Sequence, residues 1–561
     1  MPAEGLSGWE RRLRQAFTRG ELLDLRTGPE DGLAQAARWG ADRSVPADVL
    51  AGLLVGPDRS RPGTVPRLRL AGVRVTGPLD LSHARIECPI EFEDCVFEAG
   101  ITLHEAVTRS VRFYRCRFPS LDATRFELRG ELQAQNSHFG WMSLYSSQVD
   151  EIEISHSRVS QPGDTALNWD LLAVRGAVYC QDVQIEGAVR MPGARIEGQL
   201  QLSGTRIVNE SGSALHAWGL VVGNGVFCRT GFTDERNPFT AIGEIDLSNA
   251  QIRGPLVLDR AVLSNPDGIS LGADQITIDG GLFARGIVSR GEILLRSAHV
   301  SGPFSLTSST LVKPGGVALH ADRIVADDGA FLYERFAAQG RVRLVGAEIA
   351  GRLQLDAGAV DGVVDLRDAR VQTLVSTDPP ARVRLNGLRY EGLEPELPAA
   401  ERLGLLAKDE DGYQPQPYEQ LAAHYRRIGH DEDARRVLLA KQRRRRGRLT
   451  AAGRAWGYAQ DWLVGYGYRP WLAGAWLAGL LAGGTAYFGA NRPTPLEPGT
   501  RTDFDAFAYT SDLLLPIIDL GQEGVWSPRG LDQVVAYALI IAGWVLATAM
   551  VAGVTRVLSR S

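Results

Sequence analysis

Cysteine and histidine, the side chains most often used for metal binding and redox chemistry, are sparse in this chain of 561 residues. No Cys-x-x-Cys pair occurs, so the cysteine spacing predicts neither a zinc site nor a redox pair. Every cysteine instead falls on a position of the repeat described below, which favours packing in a core. The histidines are scattered without ligand spacing, which indicates corner or solvent-facing side chains. The five cysteines are Cys88, Cys95, Cys116, Cys180 and Cys228. Six of the nine histidines, all within the repeat region, are His83, His104, His138, His156, His216 and His320.

Nucleotide-binding and acid–base motifs are also lacking. Residues 223–225 (Gly-Asn-Gly) follow an apolar run, but the third glycine of a dinucleotide fingerprint and the helix pattern after it are missing. The acidic residues Glu91, Glu93 and Asp94 are typical of a solvated face. The sequence therefore predicts no catalytic residues, no cofactor and no metal site, and it favours a protein that is not an enzyme.

The C-terminal region contains a candidate path for ions in the connector between its two long apolar segments. Residues 504–523 contain about a dozen apolar, helix-like positions, then Pro516 and a polar tail. This length is too short to span a bilayer and suits a re-entrant segment or an amphipathic helix on the outer leaflet.

A span, a re-entrant helix, an extended tail and a second span form the plan of two-helix tetrameric ion channels. In these proteins, backbone carbonyls or acidic rings select cations. The tail lacks the Thr-Val-Gly-Tyr-Gly type of potassium filter, so the similarity is one of plan only. Asp519 and Glu523 would form the acidic ring of a pore. The candidate pore residues are Asp512, Asp519, Gln522 and Glu523.

A basic run, 441–448, precedes the first long apolar stretch by about 20 residues. Such a run could bind nucleic acid, but its position favours an anchor beside anionic lipid on the cytoplasmic side. The candidate lipid-facing residues are Arg443, Arg444, Arg445, Arg446 and Arg448.

The elements that must position these residues follow from an eleven-residue repeat. Gly176, Gly187 and Gly198 are each flanked at alternate positions by apolar residues. A period of two is that of a β-strand and not of a helix. Strands this short cannot bury a face alone, so successive coils must stack around a shared interior. The unit Ala-x-Ile-x-Gly-x-Leu-x-Leu-x-x recurs at 250–258, 298–306 and 347–355.

Two units make a coil of about 22 residues, so residues 66–390 would form roughly 15 coils and a solenoid ~70 Å long. We therefore expect a mainly β protein, a right-handed β-solenoid with an α-helical N-terminal cap, a helical neck and two C-terminal transmembrane helices. The predicted domains are the cap at 1–65, the solenoid at 66–400, the neck at 401–449 and the membrane domain at 450–561.

Capping patterns predict the helices at both ends of the solenoid. Ser44, with Pro46 just inside, opens a helix over 45–54. This cap covers the first coil or, alternatively, binds a partner. In the neck, apolar spacing from Pro417 and the acids from Asp431 predict a helix–turn–helix.

Two segments, 470–490 and 534–555, hold 21 and 22 uncharged residues and can each span a bilayer. Glycines on both would allow close helix packing. Arginines precede the first span and follow the second, at Arg556 and Arg560, whereas the connector 491–533 has three arginines against seven acids. The positive-inside rule then predicts a multi-pass protein of the cell membrane with both termini in the cytoplasm.

Charge and cysteine content fit a cytoplasmic solenoid. The 61 basic and 66 acidic residues are nearly balanced, which argues against a nucleic-acid partner. The sparse cysteines and the lack of a secretory signal predict a reducing compartment. Membrane lipids, further copies of the chain and a protein on the solenoid flank are the expected partners.

Two resemblances add to these expectations. The Ala/Cys-x-Ile/Phe-x-Gly-x-Leu-x-Leu lattice resembles a relaxed pentapeptide-repeat β-solenoid, with units of five plus six residues. The aromatic junction at 462–471, together with 418–446 and the solenoid, resembles a group of actinobacterial membrane proteins with repeat-rich cytoplasmic domains. Such proteins are sometimes catalogued as membrane-associated oxidoreductases. The sequence has no flavin or nicotinamide loop, haem pair or iron–sulfur spacing that would support this chemistry.

Two functions of different classes follow. The first is a membrane-tethered scaffold or sensor, whose solenoid flank recruits partners. The second is an oligomeric two-span cation channel gated by the solenoid. A membrane-associated oxidoreductase is a third, weaker alternative.

Overall fold

The computed structural model describes residues 8–28, 31–56, 65–231, 234, 236–496, 503–515 and 517–558. The chain forms two compact units, residues 1–396 with 408–410 and residues 397–407 with 411–561. Several predicted features lie outside the described residues, namely Arg501, Pro516, Arg560 and the cap segments 1–7 and 57–64.

The first unit is a parallel β-solenoid of about 15 coils, as predicted. Strands of successive coils pair in parallel and in register, so that Leu70 lies opposite Phe92 and Phe92 lies opposite Phe113. Most coils contain three strands that are joined at tight corners. The strands are two to eleven residues long, and the continuous hydrogen bonding along the stack explains how the shortest of them persist.

The strands of the solenoid are short and follow one another closely along the chain. Strands β1 to β16 are Leu23–Asp24, Ser44–Pro46, Leu68–Ala71, Arg74–Thr76, Leu79–Asp80, Arg85–Ile86, Ile90–Glu93, Val96–Phe97, Ile101–Thr102, Val107–Thr108, Val111–Tyr114, Arg117–Asp122, Glu127–Gln135, His138–Ser143, Gln148–Glu153 and Arg158–Asn168. Strands β17 to β31 are Ala173–Val174, Val178–Tyr179, Gln184–Arg190, Arg195–Ile196, Leu200–Gln201, Arg206–His216, Val221–Val222, Val226–Phe227, Thr240–Asp246, Gln251–Ile252, Leu256–Val257, Val262–Gly272, Thr277–Ile278, Leu282–Phe283 and Val288–Leu294. Strands β32 to β43 are His299–Val300, Phe304–Ser305, Thr310–His320, Val325–Ala326, Ala330–Leu332, Ala337–Arg343, Glu348–Leu355, Ala359–Val360, Val364–Asp365, Arg370–Val375, Val383–Arg384 and Arg389–Glu394.

The interior of the solenoid is built from the apolar positions of the repeat. Val178, Leu200 and Val226 are neighbours on three coils, and each is at most 2% exposed. Removing such surface from water stabilises the stack by about 25 cal/mol per Å². Four of the cysteines are buried in this interior and Cys88 is half-buried, as expected for packing positions. Burial raises the pKa of the Cys180 thiol well above its ordinary value.

The N-terminal segment differs from the prediction in one helix. The predicted helix over 45–54 is α2 (Ala47–Val55), which follows α1 (Gly8–Arg19). It begins at Ala47 because Ser44–Pro46 pairs as a strand with Arg74–Thr76 and continues the solenoid ladder. Ser44 is therefore a strand residue, and the expectation that it opens the helix was wrong.

The second unit is helical. Its helices α4 (Pro415–Arg427) and α5 (Asp431–Arg446) pack as the predicted helix–turn–helix. The side chains buried between them are Tyr418, Leu421, Val437 and Leu438. The remaining helices and a two-stranded antiparallel ribbon form its C-terminal part. The helices are α3 (Ala399–Leu406), α4 (Pro415–Arg427), α5 (Asp431–Arg446), α6 (Ala451–Val464), α7 (Pro470–Ala490), α8 (Ala506–Leu514) and α9 (Leu531–Leu558), and the ribbon is β44 (Thr494–Pro495) with β45 (Trp526–Ser527).

Candidate functional site

Helices α7 and α9 are long and apolar enough to cross a membrane. Their apolar stretches, Trp471–Ala490 and Leu531–Thr548, have mean hydropathies of 1.2 and 1.7. Only 17% and 22% of these stretches is buried, whereas the core helix of a soluble protein would be mostly buried. The predicted span 470–490 coincides with α7, and the predicted span 534–555 lies inside α9.

The short helix α8 packs between these two long helices. Tyr509, Leu513 and Leu514 of α8 form a buried cluster with Phe488 of α7 and with Ala536 and Leu539 of α9. Asp505 caps the N-terminus of α8 by accepting hydrogen bonds from two backbone amides. The connector between the two long helices therefore folds into their shared core.

Two glycines allow α8 to approach closely. A Cβ atom at Gly484 would overlap the Thr510 side chain, and one at Gly543 would overlap the Leu514 carbonyl oxygen. Gly543 lies about 18 Å along α9 from Leu531, at 1.5 Å per residue. The C-terminal end of α8 therefore lies about two thirds of the way along the apolar stretch of α9, near the midpoint of the whole helix.

The chain then returns to the end from which it entered. Thr494–Pro495, just after α7, pairs with Trp526–Ser527, just before α9. The return segment, defined here as residues 517–523, connects the deep end of α8 to this ribbon. The described parts of the connector thus form a hairpin in which a helix is followed by a non-helical segment of turns and bends.

A single carboxyl group holds the return segment in place. Asp512 is 5% exposed. Its oxygens accept hydrogen bonds from the backbone N–H groups of Leu520 at 2.5 Å, Gln522 at 2.7 Å and Glu523 at 3.2 Å. We call this arrangement the Asp512 clamp. It satisfies three amides that no regular element pairs.

The four predicted pore residues therefore lie in different environments. Asp512 is buried and its carboxyl group accepts three backbone amides, so its assignment as a pore residue stays a prediction. Gln522 is also buried, and its side-chain oxygen has no hydrogen-bond donor among the described residues. Asp519 and Glu523 are exposed, and Asp519 accepts one bond from the Gly521 amide at 2.8 Å.

The predicted lipid-facing arginines also separate into groups. Arg443 and Arg446 both bind Asp461 of α6, at 3.0 and 3.1 Å, and Arg446 stacks on the Tyr458 ring at 3.8 Å. Burial raises the pKa of Asp461, but these two guanidinium groups lower it further, so the pKa lies below its ordinary value.

The other three arginines of the basic run, Arg444, Arg445 and Arg448, are exposed. Arg448 donates to the Asp411 carbonyl at 3.2 Å. On α6, Trp456 and Trp462 are exposed as well. Exposed arginine and tryptophan side chains on adjoining helices are typical of a membrane–water interface.

One cluster in the solenoid was missed by the sequence reasoning. His83, His104 and Glu105 each offer a ligand atom, and these atoms all lie within 4.8 Å of one another. The sequence analysis found no ligand spacing among the histidines and therefore did not bring this pair together. The two histidines are 21 residues apart, which is one coil, so counting by the coil length would have brought them together.

Comparison of the chain with protein-family models, with curated proteins and with solved structures gives no match.

Proposed function

We propose that this chain is a membrane-tethered β-solenoid protein whose second unit forms, with further copies, a cation-permeable pore. The observation that carries the proposal is the hairpin of α8 and the return segment, which enters the core between two apolar helices and leaves at the same end. Channel architecture is favoured over a simple anchor because two spans anchor a protein without any such hairpin.

Backbone chemistry supports this proposal. Non-helical backbone at membrane depth is tolerated only where it is buried in protein or lines a water-filled cavity. The return segment is exposed on the single chain at residues 517–521. Among the described residues, no N–H group donates to the carbonyl oxygens of residues 518–521. A water-filled path between copies would hydrate these carbonyls, as in other channel filters.

The surface of α7 supports association of copies. Its outward face is made almost entirely of small residues, which let helix backbones approach closely in a membrane. A single hairpin cannot enclose a path, so a pore requires several copies around an axis. The exposed small residues of α7 are Ala475, Ala478, Gly479, Ala482, Gly483, Ala486, Gly489 and Ala490.

Cations are favoured by the charges at the hairpin. The C-terminal end of α8, which carries partial negative charge, lies against Gly543, within the apolar stretch of α9. Asp519 and Glu523 are exposed on the return segment beyond it. Copies around an axis would place these acids in rings, and acidic rings select cations.

The proposed topology has both termini in the cytoplasm. The exposed arginines near α6 precede the first span, and the acid-rich connector lies outside. The proposed location is the bacterial cell membrane, in agreement with the resemblance to actinobacterial membrane proteins. That this chain is a membrane-associated oxidoreductase stays a prediction.

Bilayer recording of the purified full-length protein tests the pore. The expected result is a cation-selective current that Asp519→Asn and Glu523→Gln each reduce. Glu210→Gln is the matched control, because it removes an exposed acid from the solenoid and should leave the current unchanged. A silent protein that light scattering shows to be monomeric in detergent would contradict the proposal.

A tethered scaffold is the second candidate, and a groove on the solenoid favours it. This groove of about 620 Å³ is lined by charged side chains of both signs, including Asp327, Arg370 and Glu391, with Tyr390 beside them. Such a surface suits a polar protein segment. Loss of a co-purifying partner on Tyr390→Ala, with no current from the wild type, would establish the scaffold in place of the channel.

A further inference from the structure

One corner of the solenoid stacks ionisable side chains on three successive coils. His83, Glu105 and Arg125 occupy the same left-handed position, with φ of 59°, 54° and 54°. The His83 amide donates to the His104 carbonyl at 2.8 Å, and the Glu105 amide donates to the Thr124 carbonyl at 2.9 Å. The backbone ladder therefore fixes these side chains beside one another.

The three potential ligands in this corner converge. The His83 Nδ1 atom lies 3.0 Å from Glu105 Oε2. The His83 and His104 rings are perpendicular, with centroids 5.6 Å apart. Two imidazole nitrogens and one carboxylate oxygen form the protein ligand set of many zinc sites that keep a fourth position open.

Arg125 lies beside two of these three potential ligands, Glu105 and His104. Its Nη2 atom is 2.5 Å from Glu105 Oε1 and 3.3 Å from His104 Nε2. Arginine only donates hydrogen bonds, so His104 Nε2 directs its lone pair toward this cation. The Arg125 side chain is 54% exposed, which allows it to leave.

We propose that His83, His104 and Glu105 bind a divalent transition-metal ion of the zinc type, and that Arg125 is a resident cation which the metal displaces. Zinc–nitrogen and zinc–oxygen bonds are about 2.0–2.2 Å, so the ligand atoms must draw together from their present separations. His83 and Glu105 are exposed and His104 is partly exposed, so their side chains can make this adjustment. The bound metal would cross-link two coils.

The other histidines of the solenoid provide the comparison. His299 binds a single carboxylate, Asp327, at 3.0 Å, and His216 binds Asp246 at 3.1 Å. Among the described residues, neither belongs to a group of three converging ligands. A corner ion pair alone therefore does not account for two imidazoles and a carboxylate that converge on one another, with a guanidinium group beside two of the three.

The test uses the full-length protein in detergent, purified without a polyhistidine tag and treated with a chelator. Titration with Zn²⁺ is followed by calorimetry, and titration with Co²⁺ by the visible absorption of a tetrahedral cobalt complex. We expect one Zn²⁺ per chain. His83→Ala, His104→Ala and Glu105→Gln should each weaken binding by at least about tenfold, since outer-shell changes alone cost 10–100-fold.

Two further variants keep the test decisive. His299→Ala is the matched control and should bind Zn²⁺ as the wild type does. Arg125→Gln should bind Zn²⁺ more tightly than the wild type, and a misfolded protein would not give this gain. The proposal is overturned if the wild type and Arg125→Gln bind no Zn²⁺, or if His83→Ala and His104→Ala bind it unchanged.

Discussion

Replacing Asp512 by alanine tests whether one carboxyl group holds the return segment. The substitution leaves three backbone amides without their acceptor. The Gln522 amide is buried, and losing its partner costs about 1–3 kcal/mol, whereas the amides of Leu520 and Glu523 are partly exposed and lose about 0.5–1.5 kcal/mol each. The return segment should therefore be destabilised locally by about 2–6 kcal/mol.

Hydrogen–deuterium exchange in detergent measures this loss directly. Because each 1.4 kcal/mol corresponds to a factor of ten, exchange over residues 520–523 should accelerate at least about 30-fold in Asp512→Ala. Asp519→Ala is the control, since its carboxyl group accepts one exposed amide and its loss should change exchange little. Unchanged exchange at 520–523 in Asp512→Ala would refute the clamp.

Three further substitutions test the packing and the electrostatics. Gly543→Ala should destabilise the second unit by about 1–3 kcal/mol in a thermal melt, because the new methyl group overlaps a carbonyl of α8. Gly474→Ala, which has open space at its Cβ and lies outside the proposed association face of α7, should cause no loss. Phe113→Ala should lower the free energy of unfolding of the solenoid by about 3–5 kcal/mol in a denaturant titration, because the ring is fully buried. Burial raises the pKa of Asp94, but the hydrogen bonds from Arg115 and Arg26 lower it by more, so its folded-state pKa is below the ordinary value. This carboxyl group should therefore stabilise the solenoid above pH ~4 and lose that effect as pH falls through its folded-state pKa, and Asp94→Asn should flatten this part of the stability curve.

The solenoid could be predicted from sequence because its signal is local and repeated. The glycines at 176, 187 and 198 mark one short strand after another, and each repetition strengthens the same inference. The span at 470–490 was predicted for a similar reason, since length and the absence of charge are properties of a single segment. Local patterns of this kind need no knowledge of which distant residues meet.

Contacts between coils could not be predicted in the same way. Coil lengths vary, because the in-register positions Leu68, Ile90, Val111, Leu132 and Ile152 are separated by 22, 21, 21 and 20 residues. The His83–His104 pair becomes visible only once the local coil length is known. The Asp512 clamp depends likewise on α8, whose last residue Leu514 packs against Gly543, a residue 31 positions after Asp512 in the chain.

The energetic cost of placing the polar groups of the hairpin among lipids bears on whether the proposed membrane unit is an anchor or a pore. Placing a carboxyl group, three amides and a helix C-terminus within an apolar layer is costly unless these groups are paired or hydrated. The Asp512 clamp pairs the amides, but the carbonyls of residues 518–521 and the buried oxygen of Gln522 have no donor among the described residues. Lipid cannot supply hydrogen bonds to these oxygens, whereas water or a cation between copies can. If the second unit lies in a membrane as proposed, the unsatisfied acceptors favour the pore over the anchor, and the proposed hydrated path would run beside the exposed carboxyl group of Asp519.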